Sequence, residues 1–158
     1  MVNHDDLFMH DVFLSFRGGT RYSFTDHLYH SLLRHGINVF RDSQNLRIGD
    51  EIGPSLLQAI EASRISIVVL CKDYASSTWC LDELVKIVDC YYENNGKTVV
   101  AIFYQVDPSD VRYQRNSYEI AMIKHEKRFG SESEKVKKWR FALNRVCALS
   151  GLHCKDDM

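Results

Sequence analysis

The chain has 158 residues, 45% hydrophobic, 26% charged and 11% aromatic, a composition that fits one globular domain with a sizeable core. Its 20 Lys and Arg nearly balance 21 Asp and Glu for a formal net charge of −1, which excludes a strongly basic footprint and argues against a nucleic-acid partner. Five cysteines without a CxxC pair suit free thiols in a reducing interior better than a disulfide framework or a zinc site, so no structural metal is expected. The opening MVNHDDLFMHD has neither a basic nor an apolar leader segment, and no apolar run approaches the roughly 20 residues of a membrane span. The expected location is the cytoplasm, extending to the nucleus, with no membrane attachment.

Residues 1–9 read as an extension before a single domain over 10–154, with a short tail at 155–158. DVFLSF (11–16) predicts a strand buried on both faces. RGGTR (17–21) then leads into a helix over 22–35, with Phe24, Leu28 and Leu32 at spacing four and Gly36 as its C-terminal cap. INVF (37–40) predicts a second strand, and a helix over 54–62 starts at Pro54 with Leu56, Leu57 and Ile60 on one face. ISIVVLC (65–71) predicts a third strand, followed by a helix over 78–92 that buries Leu81, Leu84, Val85 and Val88. TVVAIFY (98–104) predicts a fourth strand, DPSD (107–110) a turn, and helices follow near 117–128 and 134–149, before a short final strand at LHC (152–154). Alternating strands and helices imply an α/β domain. A flavodoxin-like, five-stranded parallel sheet of order 2-1-3-4-5, with helices on both faces, suits this series. In that order ligands bind beyond the carboxyl ends of strands one and three, at RGGTR and KDYASSTWC (72–80).

Two readings compete at each polar cluster. RGGTR lets the backbone approach an anion at a helix N-terminus, with Arg17 and Arg21 to hold it, but it is also a plain tight turn and matches no established phosphate loop. On the helix after Ser77, Glu83 falls at the edge of the apolar arc, in line with Trp79 and Ile87, and periodicity alone reads it as structural. Asp82 lies on the opposite flank, one turn before Lys86, where a solvated ion pair is expected. Trp79 and Cys80 read as core residues. His27 and His30 share a face at spacing three, but no third ligand accompanies them, so they read as surface histidines. The runs KHEKR (124–128) and KVKKWR (135–140) read as solvated basic faces, and no Ser-His-Asp or Cys-His signature is present.

Taken together, DVFLSFRG, FRD (40–42), the L-x-x-G-x-x-I of Leu46, Gly49 and Ile52, DYASSTWCLDEL and IFYQVDPSDVR (102–112) resemble a plant TIR (Toll/interleukin-1 receptor) domain, of the kind that begins many intracellular immune receptors. The resemblance runs from about residue 10 to 154. It implies the flavodoxin-like fold and a self-associating NAD glycohydrolase, with NAD or NADP as a substrate rather than a cofactor, acting in plant innate immune and cell-death signalling. By this resemblance Glu83 is the catalytic acid, the glutamate of the family's W-C-L-x-E-L segment, and Asp82 falls on its variable position. Arg17, Gly18, Gly19, Thr20 and Arg21 would line the dinucleotide pocket. Ser77 and Trp79 would flank it, and Gly49 belongs to a mobile loop over 43–52. Asp26 and His27 occupy first-helix positions that carry contacts to other TIR domains, in homo- or hetero-association. Cys80 matches a cysteine linked to a second activity, a nucleic-acid-dependent cyclic-nucleotide synthetase.

The chain departs from the family pattern twice. The family reads F-R-G-x-D-T-R where this chain has Phe16 to Arg21 with one residue fewer and no aspartate, which implies a shortened pocket loop. The family also continues past Gly151–His153 into a final helix packed beside the first; this chain ends at Met158, so an exposed apolar face on the first helix is expected. Two other readings stay open beside the NAD-cleaving enzyme: a catalytically weak TIR–TIR scaffold, and the nucleotide synthetase.

Overall fold

Five apolar segments lie side by side in parallel in the computed structural model, which describes residues 9–17, 23–41, 53–93, 97–149 and 151–154. They are β1 (His10–Ser15), β2 (Val39–Arg41), β3 (Ser63–Leu70), β4 (Thr98–Tyr104) and β5 (Gly151–Cys154), in the order β2-β1-β3-β4-β5. The expected order and the parallel pairing are both found. The helices are α1 (Ser23–Arg34), α2 (Pro54–Glu61), α3 (Thr78–Glu93), α4 (Pro108–Arg112), α5 (Ser117–Phe129) and α6 (Glu134–Val146).

Alternation along each strand divides the core in two. Phe13, Val68, Leu70, Ala101 and Phe103 face one side and pack with α2, α3, α5 and α6 in the larger cluster. Val12, Leu14, Val69 and Ile102 face the other, where α1 supplies Phe24, Leu28, Tyr29 and Leu32. Phe24 stacks on Tyr104 with ring centroids 4.7 Å apart. Among the described helices α1 alone packs on this second cluster, and its Leu33 is 42% exposed.

Local chemistry sets the element ends. Gly36, at φ +76°, donates to the Leu33 carbonyl while Ile37 donates to that of Leu32, the paired bonds that close a helix through a left-handed residue. The Lys97 ammonium donates to the carbonyls of Ile60, Glu61 and Ser63 at 2.6–3.1 Å, placing a cation on the negative end of α2. DPSD differs from the expected turn: Asp107 accepts from the Ser109 backbone and hydroxyl at 2.8 and 2.7 Å, and this cap starts the short helix α4. The second strand begins two residues later and ends one residue later than INVF suggests, so it includes Arg41.

Candidate active site

β1 ends at Ser15, whose side chain follows Phe13 onto the face that carries α3. Beyond the end of β3 the chain makes one turn of 3₁₀ helix, Tyr74–Ser76, and reaches Ser77. The Ser77 hydroxyl accepts from the Cys80 amide at 3.1 Å, and its carbonyl accepts from the Leu81 amide at 3.1 Å, so Ser77 caps α3. That cap sets the phase of the helix, and Trp79, Cys80 and Glu83 turn inward against the strand ends. Because β1 and β3 are neighbours at the point where the winding direction reverses, these residues converge where such sheets bind ligands.

A hydrogen-bonded chain joins them. The Ser15 hydroxyl donates to Glu83 Oε1 at 2.8 Å and lies 2.8 Å from the Tyr74 hydroxyl. Tyr74 in turn reaches the Cys80 carbonyl at 3.1 Å, and the Cys80 thiol donates to the Phe16 carbonyl at 3.3 Å. Ser15, Tyr74 and Cys80 are fully buried and Glu83 is 1% exposed. Burial, with neighbouring Cys80 and the Glu83 carboxylate behind it, raises the Tyr74 phenol well above its usual value, so it stays a proton donor. Burial and then the Glu83 charge likewise push the Cys80 thiol up, against the opposite pull of the Ser77 hydrogen bond and the Arg17 guanidinium.

Glu83 therefore differs from the expectation of a helix-edge acid: it belongs to the interior, because Ser15 supplies a partner that helical periodicity could not reveal. Asp82 also differs. Its Oδ1 accepts from the indole N–H of Trp139 on α6 at 2.9 Å, while Lys86 pairs with Glu61 on α2 at 2.5 Å. The expected Asp82–Lys86 pair gives way because each side chain finds a partner on a neighbouring helix. Trp79 and Ser77 are buried beside the cap, and Arg17 is half-buried just past β1. Gly18, Gly19, Thr20, Arg21 and Gly49, with the loop 43–52 and Leu46 and Ile52, lie outside the described residues.

Asp26 and His27 are exposed on α1, away from Glu83. Asp26 is engaged within the chain by Arg41 at 2.8 Å, whose guanidinium also sits 3.9 Å from the Tyr29 ring centre. The run KHEKR is not wholly a solvated face: His125 is buried, its Nε2 lies 2.8 Å from the Ala75 carbonyl, and its ring meets Trp139 edge-on at 5.0 Å. Arg140 closes an ion pair with Glu126. Among the described residues no group of three or more His, Cys, Asp and Glu is arranged to hold a metal, and no helix is long and apolar enough to cross a membrane. A groove of about 310 Å³ between α3 and α6, floored by Val85, Val88 and Ala142, is remote from this chemistry.

Sequence reasoning missed Ser15 and Tyr74. The signal available for Ser15 was a single hydroxyl inside the apolar run DVFLSF, at the end of a strand otherwise suited to valine or phenylalanine.

Comparison with known proteins assigns this geometry to a lineage. The family model "TIR domain" matches residues 9–157. Disease resistance protein RPV1 of Vitis rotundifolia is 52% identical over 149 residues, covering 94% of this chain and 10% of that protein. TMV resistance protein N of Nicotiana glutinosa is 47% identical over 143 residues, covering 90% of this chain and 12% of that protein. The chain thus spans about a tenth of the length of these curated relatives. Among solved structures, the TIR domains of the activated Roq1 resistosome, which directly recognises the pathogen effector XopQ, match with a TM-score of 0.83 and 45% identity, covering 91% of this chain and 87% of that one. The chain belongs to the TIR-domain family, with close homology to plant disease-resistance proteins.

Proposed function

We propose that the chain cleaves the bond between nicotinamide and ribose in NAD or NADP, with Glu83 as the catalytic carboxylate, and that it does so in association with other TIR domains in plant immune and cell-death signalling. The observation that carries this reading is the Glu83 carboxylate itself, an acid 1% exposed at the carboxyl ends of β1 and β3 and held there by Ser15. A buried carboxylate at the switch point of an α/β sheet stands where ligands bind in such folds, which supports a functional role. The nicotinamide nitrogen of NAD is cationic before the reaction begins, so it leaves neutral and needs no proton. Positive charge develops instead on the ribose, and a carboxylate close to the sugar stabilises it or holds a ribose hydroxyl. Water completes the hydrolysis at the anomeric carbon and releases one proton. Ser77 bonds to Cys80 and Arg17 acts on the Cys80 thiol, which supports giving them, with Trp79, a share in such a pocket; Gly18, Gly19, Thr20, Arg21 and Gly49 are assigned to it by family resemblance.

Enclosure of Glu83 in the single chain supports a role for assembly, since substrate reaches the acid only when its surroundings open. The Roq1 TIR domains belong to an activated resistosome, and by analogy a neighbouring TIR domain is the proposed stabiliser of the open state. The same enclosure favours a second reading, a TIR–TIR scaffold with little catalysis, in which Asp26 and His27 serve contact alone. The synthetase reading loses support from Cys80, whose fully buried, raised thiol is a poor thiolate. Incubating purified protein with NAD over about a hundredfold concentration range separates the two. Nicotinamide release per molecule is expected to rise with concentration. A constant specific activity would overturn the assembly step, and no release at any concentration would leave the scaffold.

A further inference from the structure

We propose that Ser15 is a positioning residue for the Glu83 carboxylate and that Tyr74 acts through it, forming a relay from the 3₁₀ turn to the strand end to the acid. This rests on the reading of Glu83 as the catalytic group.

The argument is one of hydrogen supply. Three contacts join four groups: Glu83 Oε1 to Ser15 at 2.8 Å, Ser15 to Tyr74 at 2.8 Å, and Tyr74 to the Cys80 carbonyl at 3.1 Å. The two hydroxyls hold one hydrogen each. The Cys80 carbonyl can only accept, and the Ser15–Tyr74 contact works in either direction. With the Ser15 hydrogen on Glu83, the Ser15 oxygen is left to accept from the phenol, whose hydrogen is shared between Ser15 and the longer contact at Cys80. Tyr74 is fully buried and stays protonated, so it keeps Ser15 aimed at the carboxylate. Removing the phenol hydroxyl frees Ser15 to rotate.

Burial makes the arrangement costly unless it is used. A hydroxyl taken from water into an apolar interior needs partners, and Ser15 stands 0% exposed among Phe13, Val68 and Leu70, where a valine would pack without any. The partners are also fixed from independent elements. Ser15 is set by pairing with Val68, Tyr74 by its own turn, and Glu83 by the Ser77 cap. A carboxylate restrained from a strand end and a turn keeps one oxygen fixed while the sugar arrives, the kind of restraint that holds a reacting group within the geometry its reaction needs.

The test has a kinetic and a spectroscopic arm, each run on Ser15→Ala, Tyr74→Phe and the double variant after thermal melting shows them folded. Ser15→Ala is expected to lower kcat roughly 10- to 100-fold with KM for NAD within about twofold, because orientation and not substrate binding is lost. Tyr74→Phe lowers kcat less, and the double variant falls no further than Ser15→Ala, since both lesions interrupt one relay. In the second arm, glutamate carries a carbon-13 label at its side-chain carboxyl, and the Glu83 resonance is identified by its disappearance in Glu83→Gln. It is expected to move in Ser15→Ala and in Tyr74→Phe. A wild-type kcat in Ser15→Ala, losses that multiply in the double variant, or an unmoved resonance would overturn the relay. The spectroscopic arm needs no turnover, so a wild-type chain that releases no nicotinamide defeats the cleavage reading alone and the resonance still decides the relay.

Discussion

Asp82 and Glu83 are adjacent on α3, and the helix sends them to opposite flanks with opposite outcomes. On one flank Glu83 meets the strand ends, takes a hydrogen bond from Ser15 and lies almost wholly inside the protein. On the other Asp82 meets α6, accepts from the Trp139 indole and remains partly open to solvent. The Trp139 flank ties helix to helix: Trp139 also touches His125, which reaches the Ala75 carbonyl of the turn that carries Tyr74. The Ser15 flank ties helix to sheet at the point where ligands enter this class of fold. Two acids one residue apart are thus distinguished by their partners, and the partners say that one holds the architecture while the other is held by it.

The largest stability effect should therefore fall on Asp82, the acid outside the proposed site. Asp82→Ala leaves the Trp139 N–H, on a side chain 1% exposed, without its acceptor and should remove about 1–3 kcal/mol in urea unfolding. Asp82→Asn keeps an oxygen in place and should lose clearly less. Glu83→Gln replaces a buried carboxylate by a neutral group that still accepts from Ser15, and it should lose less stability than Asp82→Ala. A Glu83→Gln chain less stable than Asp82→Ala would reverse the comparison.

A smaller effect sharpens the assignment of Lys86. Its pair with Glu61 is partly exposed and should couple by roughly 0.2–1 kcal/mol in a double-mutant cycle, with no coupling between Lys86 and Asp82. Coupling to Asp82 instead would restore the pairing along α3 that helical spacing suggests.

The smallest effect concerns pH. Burial first, and Arg128 behind it, lower the His125 pKa against the opposite pull of the Ala75 carbonyl. The unfolded chain then takes up a proton that the folded chain refuses, so this contribution is present above the ordinary imidazole value of about 6.5 and is lost as pH falls below it. Between pH 7.5 and 5.5 the wild type should lose more thermal stability than His125→Gln. Equal losses would remove His125 from the Trp139 flank as a titrating group.

Much of the fold was legible because the strands are long apolar runs, and runs such as ISIVVLC and TVVAIFY have one reading beside helical segments capped by Gly36 and Ser77. Strand order came from the fold class that the alternation suggests, and the register agrees with it. The site was only half legible. Glu83 is singled out by the segment it stands in, but a helical wheel sees one helix at a time. It placed Glu83 at an edge and Asp82 beside Lys86, since the partners that decide both, Ser15 and Trp139, lie 68 and 57 residues away. Ser15 and Tyr74 escaped for the same reason, each an ordinary residue until the sheet brings them together. His125 hid in a run of charges because one position of α5 turns inward while its neighbours do not.

The most direct measurement is free nicotinamide released from NAD by the wild type, Asp82→Asn and Glu83→Gln at equal, high protein concentration. Wild type and Asp82→Asn should release it at similar rates, and Glu83→Gln should fall to background while remaining folded. Release by Glu83→Gln at the wild-type rate would show that the carboxylate held by Ser15 is not the catalytic group.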